Sequence, residues 1–208
     1  HPMDFVLDNV VGTANILNFA KKLNDENGIE RFIYFSTDEV FGPAPKGIDY
    51  SENDRYNSTN PYSATKAGGE ELAVAYENTY GIPAFITHTM NVFGERQHPE
   101  KFIPMCIKKI RDGEKVTIHS DKTKKIPGSS HYIHAADVCD GCLFLLSNEK
   151  KILNIKDDFG QAKCKKFNLV GPREWNNLAL ALKIAKIQNL KLNFKMIDFH
   201  SSRPGHDL

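Results

Sequence analysis

Apolar positions in the first half of the chain alternate between helical spacing and short continuous runs. Residues 3–22 carry apolar side chains at intervals of three and four, which predicts a helix. Residues 31–36 and Pro83 to Met90 are compact apolar runs, which predict strands buried on both faces, as in a parallel sheet. Because helices and strands alternate, we expect an α/β fold with parallel strands joined by right-handed crossovers.

Between the two predicted strands, local signals define a second helix. Asn60 provides an N-cap, and Pro61 suits the first helical position. The helix is expected to reach about Tyr80, where Gly81 ends it. The polar, turn-rich residues 42–59 before it predict a loop.

After Gly94 the pattern changes to shorter elements, which we assign to a second, smaller α/β domain. We therefore divide the chain into residues 1–94 and residues 95–208, and we expect some elements of the second part to return to the first domain. The predicted helices are 101–112, Asp137 to about Ser147, and 174–188. The predicted strands are Lys115 to His119, Tyr132–Ile133, Phe167 to Val170, and 191–198. A loop is predicted for Asp121 to Ser130, and a loop or hairpin for 149–165.

Composition narrows the class of protein. The chain has 208 residues, 40% of them hydrophobic and 25% charged, which is ordinary for a globular protein. A formal net charge of +1 gives no field that would attract nucleic acid or an anionic membrane, and no apolar run is long enough to span a membrane. The N-terminus lacks the features of a signal peptide, and the four cysteines favour free thiols in a reducing compartment, so we expect a cytoplasmic protein. Both ends of the chain look truncated.

Tyr62 and Lys66 are the first candidate catalytic pair. They lie four residues apart, so they share one face of the predicted helix. An ammonium group near a phenol favours the phenolate and lowers the phenol pKa from about 10, which would make Tyr62 a usable base. Any amphipathic helix can carry a tyrosine and a lysine at this spacing, so the pair alone does not establish catalysis.

Thr37, Asp38 and Glu39 follow Ser36 at the end of the first predicted strand. Ligands of open α/β sheets bind outside the carboxyl ends of the strands, and carboxylates in such a cleft can have raised pKa values. The alternative is a capped turn, in which threonine and aspartate bind backbone amides. The order of the two motifs favours the catalytic interpretation.

These motifs, with several others, resemble the extended short-chain dehydrogenase/reductase family, in its NAD-dependent epimerase/dehydratase branch. The resemblance covers nearly the whole chain, and the Thr-Asp-Glu triplet is similar to that of the dTDP-glucose 4,6-dehydratases. The matching segments are Asn9–Thr13, Ser36–Gly42, Asn60–Lys66, Asn91–Gly94, Pro99–Pro104 and Arg203–Asp207.

The resemblance implies that residues 1–94 are the C-terminal half of a dinucleotide-binding domain and that residues 95–208 are mostly a substrate-binding region. It also implies an intramolecular oxidation–reduction with NAD as cofactor. Tyr62 would take the proton of the sugar 4-hydroxyl while NAD takes hydride from C4. Glu39 would then remove the C5 proton and Asp38 would protonate the departing 6-hydroxyl, before hydride returns to C6. Thr37 would bind the sugar 4-oxygen and Lys66 the nicotinamide ribose, and Asn9 and Ser36 would also contact the cofactor.

The resemblance also implies a nucleotide-sugar site. Asn91 would contact the substrate diphosphate, Lys101, Phe102 and Ile103 would line the nucleotide, and Arg203 would bind phosphate. The dehydratases usually have an arginine near the position of Ser130 or His131. A basic loop with Lys122, Lys124 and Lys125 could replace it, although the expected role of these lysines is that of a solvated loop. The family's glycine-rich phosphate loop is absent from the sequence, and the chain would begin after the fourth strand of the family fold.

Several alternatives stay open. The activity could instead be that of a GDP-mannose 4,6-dehydratase, a UDP-glucuronate decarboxylase or a 4-epimerase, although Asp38 with Glu39 argues against the epimerase. The chain could also be a catalytically inactive fragment, or a sugar-nucleotide-binding module. The family usually dimerises through two helices of each subunit, here about 3–22 and 62–79, so we expect a homodimer for the full-length protein.

Two further features are interpreted as structural. Cys139 and Cys142 form a C-x-x-C pair on an apolar helix face, where core packing is the expected role. The histidines, among them His98, His131 and His134, show no ligand spacing, so we expect no metal site.

Overall fold

The computed structural model describes residues 1–45, 47–154 and 164–199, and these divide into two compact units. The first unit comprises His1–Thr89 and Cys139–Leu169, and the second comprises Met90–Val138 and the described residues from Val170 onward. Each unit combines helices with parallel strands, so the predicted α/β class is confirmed.

The first unit opens with a long helical stretch that contains an irregular turn. It consists of α1 (Pro2–Phe5), a π-helical segment (Val6–Val11) and α2 (Gly12–Asn27). The prediction of a helix over 3–22 is therefore confirmed, although the helix extends further and the π segment was not foreseen. A Cβ atom at Gly69 would lie 2.6 Å from the backbone oxygen of Asn9, so only glycine permits this close approach to the next helix.

That next helix, α3 (Pro61–Tyr80), has both ends where the local signals predicted them. The side chain of Asn60 accepts a hydrogen bond from the Ser63 amide at 2.9 Å, and the Ser63 hydroxyl is 3.4 Å from the Asn60 amide, which completes a capping box. Gly81 ends the helix in the left-handed conformation. These caps fix the start of α3, where Tyr62 lies.

Replacing Asn60 with alanine is expected to lower the free energy of unfolding by about 1–2 kcal/mol, because a buried N-cap and its capping box are lost. Thermal or urea unfolding measures the change. The matched control is Asn176→Ala, at a second N-cap whose side chain accepts from the Leu178 and Ala179 amides but lies on the surface. If Asn60→Ala lowers the free energy of unfolding by no more than Asn176→Ala does, the stabilising role of the buried cap is contradicted.

A three-stranded parallel sheet in the order β1–β2–β7 forms the centre of the first unit, from β1 (Phe32–Ser36), β2 (Ala84–Thr89) and β7 (Lys165–Leu169). Strand β2 is buried along nearly its whole length, as predicted. The prediction that β1 is buried on both faces is wrong at Phe35, whose side chain is 49% exposed, because β1 is an edge strand of the described sheet.

The second unit contains shorter elements. Its helix α4 (Phe102–Arg111) and strand β4 (Val116–Ser120) pack with α7 (Asn177–Ile187) and β9 (Phe194–Asp198) around a core that includes Cys106, Ile118 and Ala181. Strands β4 and β9 are parallel partners. The remaining strands are β3 (Val92–Phe93), β5 (Ser129–His131), β6 (Ile133–His134) and β8 (Glu174–Asn176).

Several predicted boundaries are wrong; the loop predicted over Asp121 to Ser130, for example, ends where β5 begins at Ser129. Residues 149–165 were expected to form a loop or hairpin, but α6 (Glu149–Leu153) begins soon after α5 (Ala135–Ser147), and residues 155–163 lie outside the described part of the chain. Residues 174–176 were expected to be helical. They instead form β8, because they pair antiparallel with β5, and α7 starts only after the Asn176 cap.

Candidate active site

The turn after β1 brings together the hydroxyl and the two carboxylates that the sequence singled out. Asp38–Phe41 forms a 3₁₀-helical turn, and Thr37 is its N-cap. The Thr37 hydroxyl donates to an Asp38 carboxylate oxygen at 3.2 Å and accepts from the Glu39 amide at 3.3 Å. The capped turn and the predicted catalytic group therefore consist of the same residues. The Thr37 cap fixes the turn, and the turn holds the two carboxylates.

The two carboxyl groups differ in their surroundings. Burial raises the pKa of Asp38, and the neighbouring Glu39 carboxylate raises it further, although the Thr37 hydroxyl opposes the shift. Glu39 accepts a hydrogen bond at 3.0 Å from the side-chain amide of Asn60, the N-cap of α3. Asp38 thus retains a proton to higher pH than an ordinary aspartate does, while Glu39 is oriented from the helix that carries Tyr62.

The raised pKa of Asp38 predicts that Asp38→Asn stabilises the protein at neutral pH. Because the folded pKa exceeds the unfolded value of about 3.9, the contribution of Asp38 to stability is fully present below about pH 3.9 and is lost as the pH rises through the folded pKa. A neutral amide avoids that loss. Melting temperatures at about pH 7 and pH 4.5 measure it, with the exposed Asp140→Asn as the control. No gain at pH 7, or a larger gain at pH 4.5, would refute the prediction.

Tyr62 lies at the start of α3, half-buried, with its ring edge-on to Phe5 at 5.7 Å between centroids. The expectation that Lys66 lowers the pKa of Tyr62 is wrong for this chain. Burial raises the pKa of Tyr62, and the Glu39 and Asp38 carboxylates raise it further. The structure therefore brings Tyr62 within electrostatic range of the acidic turn and favours its neutral phenol.

Lys66 contacts groups other than the tyrosine. Its ammonium donates to the backbone oxygen of Phe35 at 2.5 Å and lies 4.5 Å from the centre of the Tyr34 ring. Burial lowers the pKa of Lys66. Lys66 is thus held near the end of β1, close to the residue where the turn begins.

The two other residues proposed for cofactor contacts have contrasting surroundings. The hydroxyl oxygen of Ser36 is buried and has no hydrogen-bond partner among the described residues, so it can still bind a polar group. The side-chain amide of Asn9 donates to the Thr65 hydroxyl at 3.0 Å, which links the π-helical segment to α3. Ser36 fits a contact with a bound cofactor, and Asn9 acts on the packing of the helix that carries Tyr62 and Lys66.

The residues predicted to bind the nucleotide sugar lie in the second unit. Asn91, Lys101, Phe102 and Ile103 line one small cavity of about 100 Å³, together with Tyr132. The side-chain amide of Asn91 donates to the backbone oxygen of His131 at 3.4 Å. Arg203 lies outside the described residues.

Sequence reasoning missed a buried group of ionisable side chains in the first unit. Glu70 and His88 are almost completely buried, and Lys166 and Tyr56 complete the group. Glu70 follows Lys66 by four residues, so its place on the same helix face was readable in the sequence. Its partners come from distant parts of the chain, and no local signal marks them.

The cysteine prediction is wrong. Cys139 is exposed and Cys142 is only half-buried, so this pair does not pack in the core. Within the described ranges, no cluster of three or more His, Cys, Asp or Glu side chains is arranged to hold a metal ion. None of the described helices is long and apolar enough to cross a membrane.

The fold and the site together define an α/β protein with two carboxyl groups and a nearby tyrosine at the carboxyl end of a parallel strand. Residues 1–155 match the NAD dependent epimerase/dehydratase family, so the chain belongs to that family, as its motifs predicted. The family's name states its cofactor, NAD.

Curated relatives are consistent with this membership. The chain is 35% identical to the low-salt glycan biosynthesis protein Agl12 of Haloferax volcanii, over 98% of this chain and 58% of that protein. It is 30% identical to a dTDP-glucose 4,6-dehydratase of Streptomyces niveus, over 98% of this chain and 54% of that protein. The chain thus spans somewhat more than half the length of these relatives.

Solved structures share the fold. The dTDP-glucose 4,6-dehydratase DesIV of Streptomyces venezuelae, solved with NAD and TYD bound, is 27% identical, with a TM-score of 0.79 over 100% of this chain and 57% of that one. A UDP-glucuronic acid 4-epimerase of Bacillus cereus, at 23% identity and a TM-score of 0.74 over 97% of this chain and 57% of that one, shows the shared fold alone.

Proposed function

We propose that the protein containing this chain is an NAD-dependent nucleotide-sugar 4,6-dehydratase, a lyase that eliminates water after oxidising the sugar. The observation that supports this most strongly is the pairing of Asp38 and Glu39 on one turn within electrostatic range of Tyr62. Water elimination needs an acid and a base at adjacent carbons, whereas a 4-epimerase needs neither carboxyl group for its hydride transfer.

The roles follow from the chemistry of each side chain. NAD, when bound, supplies reversible hydride transfer. In its phenolate form, Tyr62 takes the proton of the sugar 4-hydroxyl, and the ketone formed at C4 makes the C5 hydrogen acidic. Glu39 removes that hydrogen as a proton. Asp38, whose pKa is raised by burial, protonates the departing 6-hydroxyl, which leaves as water; hydride from C4 would then be returned to C6, and the proton held by Glu39 would be returned to C5.

Three neighbouring residues would bind and orient the reactants. Lys66 would hold the nicotinamide ribose. To do so, its ammonium must either give up its short hydrogen bond to the Phe35 carbonyl or donate to both groups. The Ser36 hydroxyl, which has no hydrogen-bond partner in the described part of the chain, would also bind the cofactor. Thr37 would donate to the sugar 4-oxygen when its hydroxyl turns from Asp38.

For the substrate we propose dTDP-glucose. Asn91 would bind the diphosphate, Lys101, Phe102 and Ile103 at the small cavity would contact the nucleotide, and Arg203 would add a cation for phosphate. Relatives named as dTDP-glucose 4,6-dehydratases support the thymidine nucleotide. The plant enzymes named as UDP-glucose 4,6-dehydratases, 31–33% identical to this chain, make a UDP-sugar the runner-up.

A panel of sugar nucleotides tests this proposal. The full-length protein with NAD is incubated separately with dTDP-glucose, UDP-glucose, GDP-mannose and UDP-glucuronate, and the products are identified by mass and by NMR. A 4-keto-6-deoxy sugar from dTDP-glucose is expected. The same product from UDP-glucose alone would overturn the substrate, and an epimerised or decarboxylated product would overturn the reaction class.

We also propose that the full-length protein is a homodimer. The described part of α1 through α2 exposes several large apolar side chains, and such a surface favours association. Replacing Phe19, 59% exposed, with glutamate should shift the protein toward monomer in sedimentation or light scattering. Phe144→Glu, an equally exposed site on α5 at 63%, is the control; an unchanged mass for Phe19→Glu would contradict the assignment. The exposed set is Met3, Phe5, Leu7, Val11, Ile16 and Phe19.

A further inference from the structure

A cluster of ionisable side chains is buried in the first unit. Glu70 on α3 is completely buried, and its carboxylate lies 2.8 Å from the Lys166 ammonium and 3.2 Å from Nε2 of His88. Lys166 also donates to the Tyr56 hydroxyl at 2.6 Å, and that hydroxyl lies 3.4 Å from His88 Nε2. The four side chains therefore form one connected network.

The sheet register brings the network together. His88 on β2 pairs with Asn168 on β7, and Lys166 lies two residues before Asn168, so the side chains of His88 and Lys166 project from the same face of the sheet. Glu70 meets them from α3. The loop between β1 and α3 contributes Tyr56 and is itself tied to β7, because the Asn168 amide donates to a Glu52 carboxylate oxygen at 3.1 Å.

The carboxylate at the centre stays charged. Burial by itself would raise the pKa of Glu70, but the hydrogen bonds and charges of His88 and Lys166 bring that pKa below its ordinary value. A buried charged network is stable only when its members have good geometry, so it allows one arrangement of the elements that supply them.

Phe41 joins this network to the catalytic turn. It is the last residue of the turn that carries Asp38 and Glu39, it is 3% exposed, and its ring meets the His88 ring edge-on at 4.8 Å between centroids and the Tyr56 ring at 5.3 Å. The turn is thus held at its N-terminus by the Thr37 cap and at its C-terminus by rings belonging to the network.

A second connection runs along α3. Tyr62, Lys66 and Glu70 follow one another at intervals of four residues, which places them on the same side of the helix. The network therefore contacts α3 at Glu70, about two turns beyond Tyr62, whereas the start of the helix, where Tyr62 lies, is fixed separately by the Asn60 cap. An electrostatic interaction also joins His88 to Asp38, and it lowers the pKa of Asp38 against the effect of burial.

We propose that Glu70, His88 and Lys166 are positioning residues for the elimination step, which act by holding the Asp38–Phe41 turn through Phe41. This inference rests on the proposed dehydratase function. A network with this role should matter more for proton transfer at C5 and C6, where Glu39 and Asp38 act, than for the preceding oxidation at C4.

Glu70→Gln tests the proposal, because it removes the central charge and keeps the side-chain shape. In single-turnover experiments on the full-length protein with NAD and dTDP-glucose, the rate of NADH appearance should change by about twofold at most. The rate of elimination should fall by about tenfold or more, since small displacements of reacting groups have effects of this size. NADH should therefore accumulate before product forms.

Glu77→Gln is the matched control. Glu77 is a half-buried glutamate on the same helix, seven residues or about 10 Å further from Tyr62. It should leave the ratio of the two rates unchanged. Phe41→Leu is the second variant: it keeps every ion pair and removes only the ring contacts, and it should reproduce the NADH accumulation. It carries the test if Glu70→Gln does not fold.

Three results would overturn the proposal: equal slowing of both steps, the same change in Glu77→Gln, or an unchanged ratio in Phe41→Leu. If any of these results occurs while the wild-type protein still makes product, the positioning role fails and the proposed function stands.

If the wild type turns over no sugar nucleotide, the proposed function fails, and amide hydrogen exchange at residues 38–42 decides the positioning role. Faster exchange in Phe41→Leu and Glu70→Gln than in Glu77→Gln would support it, and equal exchange would overturn it.

Discussion

Glu39→Gln should stop elimination while oxidation of the sugar continues. A glutamine amide retains a hydrogen bond with the Asn60 side chain, which lies 3.0 Å from Glu39 in the wild type, but it cannot accept the C5 proton. General base catalysis contributes about 10²–10⁴-fold, so the elimination rate should fall by that factor. The measurement is NADH absorbance followed in parallel with the 4-keto-6-deoxy product.

Glu71→Gln, an exposed glutamate on α3, is the control and should behave as the wild type. Elimination at the wild-type rate in Glu39→Gln would show that another group is the base. Loss of NADH formation as well would show that Glu39 acts in the oxidation or in binding, so either outcome would remove Glu39 from its proposed role.

Tyr62→Phe should abolish both steps, since elimination depends on prior oxidation at C4. The phenylalanine ring keeps the edge-on contact with Phe5, so the packing of α1 on α3 is retained while the proton acceptor is lost. The rate of NADH formation should fall by about 10²–10⁴-fold. Because burial and two carboxylates raise the pKa of Tyr62, the wild-type oxidation rate should increase with pH into the alkaline range, and the variant should lack this increase.

Tyr76→Phe on the same helix is the control for Tyr62→Phe. The Tyr76 hydroxyl donates to the Asn18 side chain at 2.8 Å, so this variant loses a phenol and a hydrogen bond away from the site. Activity should persist in it. Oxidation in Tyr62→Phe at more than a tenth of the wild-type rate would mean that another group takes the hydroxyl proton.

Elements specified by neighbouring residues were predictable from the sequence. The Asn60 cap, the left-handed Gly81 and the apolar run of β2 depend on residues close to one another in the chain, and each is found where the pattern placed it. The Thr37 turn was predictable for the same reason, because its cap and both carboxyl groups lie within three residues.

Features that depend on long-range contacts were not predictable. The pKa of Tyr62 is set by burial and by the acidic turn, while Lys66 is drawn to the Phe35 carbonyl of another element. Glu70 and Lys166 are 96 residues apart in the sequence and meet only through the sheet register. Strand β8 likewise depends on pairing with β5, which overrides the helical pattern of its residues.

Isotope transfer tests the central claim, that one site oxidises C4 and then eliminates water between C5 and C6. The full-length protein is given dTDP-glucose with deuterium at C4, and the position of the label in the product is read by NMR and mass spectrometry. The proposed roles of Tyr62, Glu39 and Asp38 require the deuterium to be found at C6 of a 4-keto-6-deoxy sugar. Deuterium recovered at C4 of an unchanged or epimerised hexose, with none at C6, would contradict the proposed dehydratase reaction.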